Sequence, residues 1–156
     1  MTNRYELPQD LLHEVIMRTI EINNLSNQII RVAFGLSLKW NEENESQPIL
    51  LNQNEINRFN SYFLDNFGSS SKAELLLEIY DDMVQSNKKE INLCQNFRNK
   101  LIDFYKIRNI FAHNIYPKDL KGMTRLESKE SHWIPLNKQH KELYEELKIF
   151  LYQLLY

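Results

Sequence analysis

Cysteine is almost missing from this chain: among 156 residues there is one, Cys94. A lone thiol closes no internal disulfide and brings no second thiolate to a metal. It stands between Leu93 and Phe97 in a helical pattern, so it is expected at or near the core. Glycine and proline are scarce as well, with three and four residues. Sandwiches and loop-rich scaffolds rely on both for their turns, and the scarcity points to helices instead. No apolar run approaches the roughly 18–20 residues that span a bilayer. Met1 to Asp10 lacks the apolar stretch of a signal peptide, so the cytoplasm is the expected compartment and a membrane is not an expected partner. Glycine-rich phosphate loops, a serine elbow and a His-x3-His pair are also missing. No cofactor and no metal is expected.

What is present suits one globular domain over residues 1–156. Hydrophobic residues make up 42% and charged ones 26%, enough to build a core without covalent staples. The formal charge of -2 hides an asymmetry. Residues 1–87 carry a net -7, residues 88–129 a net +6 and residues 130–156 a net -1. The whole chain is no polyanion binder by charge, but its middle block has the sign for one. The alternative is that acidic helices neutralise the basic one across the core or a dimer interface.

Hydrophobic spacing predicts a long first helix from about Pro8 to Lys39, on Leu11, Val15, Ile22, Leu25, Ile29, Val32 and Leu36. Arg18 interrupts that stripe. The polar patch Asn23, Asn24, Ser26 and Asn27 marks a bend or a local polar contact. Residues 40–51 read as a loop. Asn52-Gln53-Asn54-Glu55 has the form of a capping box, opening a short helix with Ile56, Phe59 and Phe63 facing inward. Gly68 and the serines after it break that helix. Ser71 to Glu74 is a second capping box, before Leu75, Leu76, Ile79, Tyr80 and Met83. Asn87 to Glu90 is a third, opening a helix from about Lys88 to Tyr116, where Pro117 stops it. Residues 117–136 read as irregular, and the loose alternation from Met123 to Leu136 admits a short hairpin. Asn137 is placed to cap the last helix, with Leu143, Leu147, Phe150, Leu151 and Leu154 on its buried side. The expected fold is all-α: a four- to five-helix up-and-down bundle with an irregular segment before the last helix.

The chemistry concentrates on the fourth helix. Phe97, Leu101, Phe104, Phe111 and Ile115 share its core face, and Arg108 falls in the same spacing although it is charged. At about 100° per residue, Asn109 and His113 lie about 40° apart, and Arg108 lies about 140° from His113. Arg, Asn and His on an otherwise apolar surface need partners. One reading pairs Arg108 with an acid of the first or third helix and has His113 cap the helix or fill a semi-buried slot.

The stretch Ile107-Arg108-Asn109-Ile110-Phe111-Ala112-His113 resembles the signature of the HEPN superfamily (higher eukaryotes and prokaryotes nucleotide-binding domain). That signature is Arg, four to six residues, then His, commonly with a polar residue directly after the Arg. The fuller form Arg-Asn-x-Phe-Ala-His is similar to the mannitol operon repressor branch. The resemblance extends to the layout of a long first helix and a late motif helix. It implies a HEPN-like homodimer, with two motif helices face to face across a two-fold axis, and a metal-independent endoribonuclease or RNA-binding activity. Arg108, Asn109 and His113 would be its catalytic set. His113 titrates near neutrality and suits a general base or acid. Arg108 holds phosphate oxygens in its planar fork. Lys106, Lys100 and Arg98 on the same helix would contact the RNA backbone. Tyr116 is a further candidate, one position beyond the Tyr of the toxin branch, where this chain has Ile115. The competing reading is a non-catalytic regulatory or protein-interaction module, repressor-like or nucleotide-binding, with a partner protein in place of RNA.

Elsewhere the signals are weaker. Glu78, Asp81 and Asp82 read as a solvated helix face more readily than as a cation site. His13, His132 and His140 are isolated from one another.

Overall fold

In a computed structural model of the chain, residues 9–36, 53–86, 90–113 and 130–156 are described. They form α1 (Gln9–Ala33), α2 (Gln53–Tyr62), a 3-10 turn at Leu64–Asn66, α3 (Ser69–Gln85), α4 (Phe97–His113) and α5 (Glu130–Leu155). No strand occurs among the described residues, so the all-α expectation holds. No described helix is long and apolar enough to cross a membrane.

Helix α1 stops well short of Lys39. Gly35 sits at φ 72°, in the left-handed region that a side chain resists. The Leu36 N–H returns to the Arg31 carbonyl at 2.8 Å and the Gly35 N–H to that of Val32 at 3.0 Å. This is the Schellman closure, and it ends the helix whatever the hydrophobic spacing beyond it. Helix α2 begins at Gln53, within the first expected capping box, whose Asn52 lies outside the described residues. Its inward face is weaker than expected: Ile56 and Phe59 are half-buried, and Phe63 is 59% exposed. Ser71 does not cap α3, which starts two residues earlier behind Gly68.

The third capping box opens no helix, since α4 begins only at Phe97. Gln153 on α5 explains the delay. Its side chain accepts from the Asn92 N–H at 2.7 Å and donates to the Asn92 carbonyl at 3.3 Å. That clamp holds residues 90–94 non-helical, with Ile91 buried and Cys94 half-buried outside any helix. Asn96 then turns at φ 55° into α4.

The last helix begins earlier than expected. Residues 114–129, with Ile115, Tyr116 and Pro117, lie outside the described residues, but 130–136 are helical and form no hairpin. Pro135 sits inside α5 near its start. The helix tolerates it because Trp133 and Leu136, three apart, are both buried against α4 and α1. Asn137 is accordingly no cap.

Contacts along the helices give their directions. Val15 shares a cluster with Trp133 and Leu136, Arg18 meets Asn137 and His140, and Glu21 meets Tyr144 and Lys148. Partner numbers rise together, so α1 and α5 run parallel. Phe111 on Trp133, Phe104 on His140 and Phe97 on Phe150 show α4 running against α5. One large cluster gathers Ile22, Ile29, Leu76, Phe97, Leu101, Phe104 and Phe150, and a smaller one holds Val15, Ile107, Ile110, Phe111, Trp133 and Leu136.

A polar junction lies where the clusters meet. His140 is 0% exposed, and its ring stacks on Phe104 at 4.0 Å between centroids. Arg18 Nη1 lies 3.0 Å from Nδ1, and Thr19 Oγ1 lies 3.1 Å from Nε2. Arginine only donates, so Nδ1 accepts. The Thr19 hydroxyl gives its own proton to the Val15 carbonyl at 2.8 Å, so Nε2 carries the hydrogen. His140 is therefore neutral. Arg18 also donates to Asn137 Oδ1 at 2.9 Å and pairs with Glu14 at 3.2 Å, which accounts for the interruption in the α1 stripe.

Two outcomes follow from these arrangements. Gly35→Ala forces a Cβ into the left-handed region and lowers unfolding free energy by about 1 kcal/mol in urea titration. Burial, with the Arg18 charge adding to it, pushes His140 down to about 3. In the unfolded chain an imidazole titrates near 6.5. Between those values the unfolded chain binds a proton that the folded chain refuses, so stability falls as pH drops below about 6.5. The slope reaches up to about 1.4 kcal/mol per pH unit until the folded value is met. His140→Gln is less stable at neutral pH but flatter between about pH 6.5 and 5, where most carboxylates remain ionised. Urea unfolding at both pH values measures the difference.

Candidate functional site

The rear of α4 is fixed by packing. Phe97, Leu101, Phe104, Ile107, Ile110 and Phe111 are buried. Ile107 and Ile110 complete the stripe where Arg108 had seemed to intrude, and Arg108 turns outward to the exposed side. Asn109 is exposed beside it, and Arg108 Nη1 donates to Asn109 Oδ1 at 2.9 Å. Arg108 forms no ion pair with any described carboxylate, so the pairing with an acid of the first or third helix is not seen there. His113 is the last residue of α4. Its side chain lies outside the described residues, as do those of Tyr116 and His132.

The other basic candidates divide. Arg98 pairs with Glu74 at 3.4 Å and donates to Ser70 Oγ at 2.7 Å, both on α3. Lys100 pairs with Glu146 on α5 at 2.6 Å. They sit on opposite flanks of α4, each already facing an acid, and do not form one track with Arg108. Lys106 is exposed and enters no ion pair with a described residue. Among the described residues, acids of other helices pair with Arg98 and Lys100 but not with Lys106 or Arg108.

Beside Asn109 the surface opens into a polar cleft of about 410 Å³, which the sequence reading missed. Lys72 forms part of its lining and is only 4% exposed. The Lys72 ammonium donates to Asn23 Oδ1 at 2.9 Å and to Asn27 Oδ1 at 3.0 Å. Asn23 and Asn27 are one turn apart on α1, so a single ammonium bridges both. Tyr105 on α4 donates to the same Asn23 oxygen at 3.2 Å. The polar patch on α1 is therefore a contact between helices rather than a bend; only Ser26 bonds locally, to the Ile22 carbonyl at 2.8 Å. Burial lowers the Lys72 ammonium from its ordinary value, against a smaller upward pull from Asp65. Burial also pushes the Tyr105 phenol up to about 12, with Arg108 opposing the rise. The Asn-x3-Asn spacing inside an apolar stripe was the available signal. Its partner Lys72 stood in a segment that read as a helix start.

A larger cleft of about 710 Å³ lies by the end of α1, α2 and α3. Phe34, Phe59, Phe63 and Phe67 give it an apolar wall, and it includes no α4 residue. Among the described residues no three His, Cys, Asp or Glu side chains gather to hold a metal, and Asp81 and Asp82 are exposed. No protein-family model, curated protein or solved structure matches the chain.

The Lys72 bridge has a measurable weight. Asn27→Ala removes one of two acceptors from a buried ammonium and lowers unfolding free energy by about 2 kcal/mol. Asn24→Ala, at an exposed position on the same turn, changes it by less than about 0.5 kcal/mol. Urea titration of the two variants beside the parent checks the contrast.

Proposed function

We propose that the chain is a HEPN-like protein that binds RNA and cleaves it without a metal. Its site would be composite, built from Arg108, Asn109 and His113 of two copies. The observation that carries this reading is the state of Arg108. A permanent cation stands exposed on the motif helix, without a carboxylate partner among the described residues and with a hydrogen bond to Asn109. Arg98 and Lys100 on the same helix are taken up by acids. An exposed guanidinium braced by a neighbouring amide suits the non-bridging oxygens of a phosphodiester.

In the proposed reaction His113 accepts the proton of a ribose 2′-hydroxyl. The 2′-oxygen attacks the adjacent phosphorus, and the bond to the 5′-oxygen breaks. The leaving oxygen takes a proton from the second copy's imidazolium. Arg108 stabilises the charge that gathers on the phosphate oxygens. The products are a 2′,3′-cyclic phosphate and a 5′-hydroxyl. Two copies also answer the geometry of one helix, where about 140° separates Arg108 from His113. Trp133 and Phe111 hold the end of the motif helix against α5, so a dimer could meet a fixed surface.

The deciding experiment incubates the purified chain with mixed RNA in the presence of EDTA. Cleavage is expected with cyclic-phosphate ends, lowered at least about 100-fold in His113→Ala and in Arg108→Ala. Sedimentation of the parent is expected to report a dimer. Equal absence of cleavage in parent and variants rejects the nuclease. Loss of the dimer in Arg108→Ala without any RNA effect favours the regulatory or partner-binding module.

A further inference from the structure

The cleft beside Asn109 has a floor that the RNA chemistry does not use. We propose that it is a binding site for a small oxyanion, the phosphate or carboxylate group of a larger molecule. The oxyanion would sit between the Lys72 ammonium and the N-terminus of α3.

Lys72 gives the first reason. Two of its three ammonium protons go to the oxygens of Asn23 and Asn27. Amide oxygens accept hydrogen bonds but cancel no charge. No carboxylate lies within ion-pair distance of Lys72 among the described residues. Asp65 lines the same cleft and acts on Lys72 only through space. A buried cation with a spare proton and no counterion is a cation that an anion would stabilise.

The start of α3 gives the second. Gly68 occupies its N-cap position without a side chain to cap the helix, and no acid sits in the first turn. The first helical return bond is that of the Lys72 N–H to the Gly68 carbonyl at 3.0 Å. The N–H groups of Ser69, Ser70 and Ser71 precede it and have no carbonyl behind them in the helix. They carry the positive end of the helix dipole, and Ser69 lines the cleft with Lys72. A helix start and a buried ammonium, on adjoining turns of one element, thus face one cavity.

Size and lining give the third. The space exceeds what an oxyanion fills, and Phe67 and Tyr105 supply ring walls for the rest of a ligand. Asn23 uses its carbonyl for Lys72 and Tyr105, which leaves its amide nitrogen as a further donor. An anion here needs no RNA cleavage at Arg108.

The test titrates the full-length, ¹⁵N-labelled chain with inorganic phosphate and, separately, with acetate, at constant ionic strength and without RNA. Saturable shifts are expected at the Ser69–Lys72 amides with at least one of them. The tighter of the two names the class of group. Asp65→Asn removes a nearby like charge from an exposed position, so it tightens binding about threefold. Lys72→Met abolishes the saturable shifts. That variant also deletes two buried hydrogen bonds, so Asp65→Asn decides independently of folding. Absence of saturable shifts with both anions overturns the site, and so does unchanged or weaker binding in Asp65→Asn.

Discussion

One imidazole ring joins the three long helices of this bundle. His140 belongs to α5, bonds Arg18 and Thr19 of α1, and stacks on Phe104 of α4. Each contact demands something of the others. The Thr19 proton is committed to α1's own backbone, which fixes the tautomer. The tautomer turns an acceptor toward Arg18. Arg18 then reaches Asn137 and Glu14 and so sets the azimuth of α5 around α1. Above this junction lies the large apolar cluster, and below it the smaller one that backs Ile107, Ile110 and Phe111. Ile107 and Ile110 in that smaller cluster leave Arg108 facing outward, one turn from the Phe104 ring on which His140 stacks.

Half-buried Arg18 and buried Lys72 are treated in part alike. Both are surrounded mainly by neutral acceptors: an imidazole and an asparagine for one, two asparagines for the other. The acids that do take part in ion pairs stand at the surface. Neutral acceptors hold geometry without quenching charge, so Lys72 meets no carboxylate at ion-pair distance among the described residues, whereas Arg18 also pairs with exposed Glu14. Glu21, Tyr144 and Lys148 show the opposite arrangement. There a carboxylate accepts from both a phenol and an ammonium near the surface, and the charges close on one another.

The helical class and most of the core were legible in periodicity. Val15, Ile22, Leu25 and Ile29 face inward as their spacing implies, and so do Leu147, Phe150, Leu151 and Leu154. Boundaries failed wherever a distant residue or a special dihedral decided them. Gly35 ends α1 through a left-handed turn, Gln153 keeps residues 90–94 out of α4, and buried Trp133 carries α5 back past Pro135. At the candidate site, the polarity of Asn23 and Asn27 was visible but their partner was not. Lys72 is 45 residues from Asn27 along the chain, and no local pattern links them. The spacing had placed Arg108 in the core stripe, and its outward direction required knowing that Ile107 and Ile110 fill the core.

The parallel run of α1 and α5 has a consequence for how the chain finds its fold. The bonds between them join residues 119 to 123 positions apart. Most bundles of short-looped helices are assembled from neighbours, and here the most polar seam is also the most distant in sequence. Until α5 arrives, Thr19 and Arg18 face water and Phe104 lacks its stacking partner. Closing so long a loop carries a larger entropy cost than pairing neighbouring helices. The α1–α5 seam thus ties the first and last described helices of the bundle to each other.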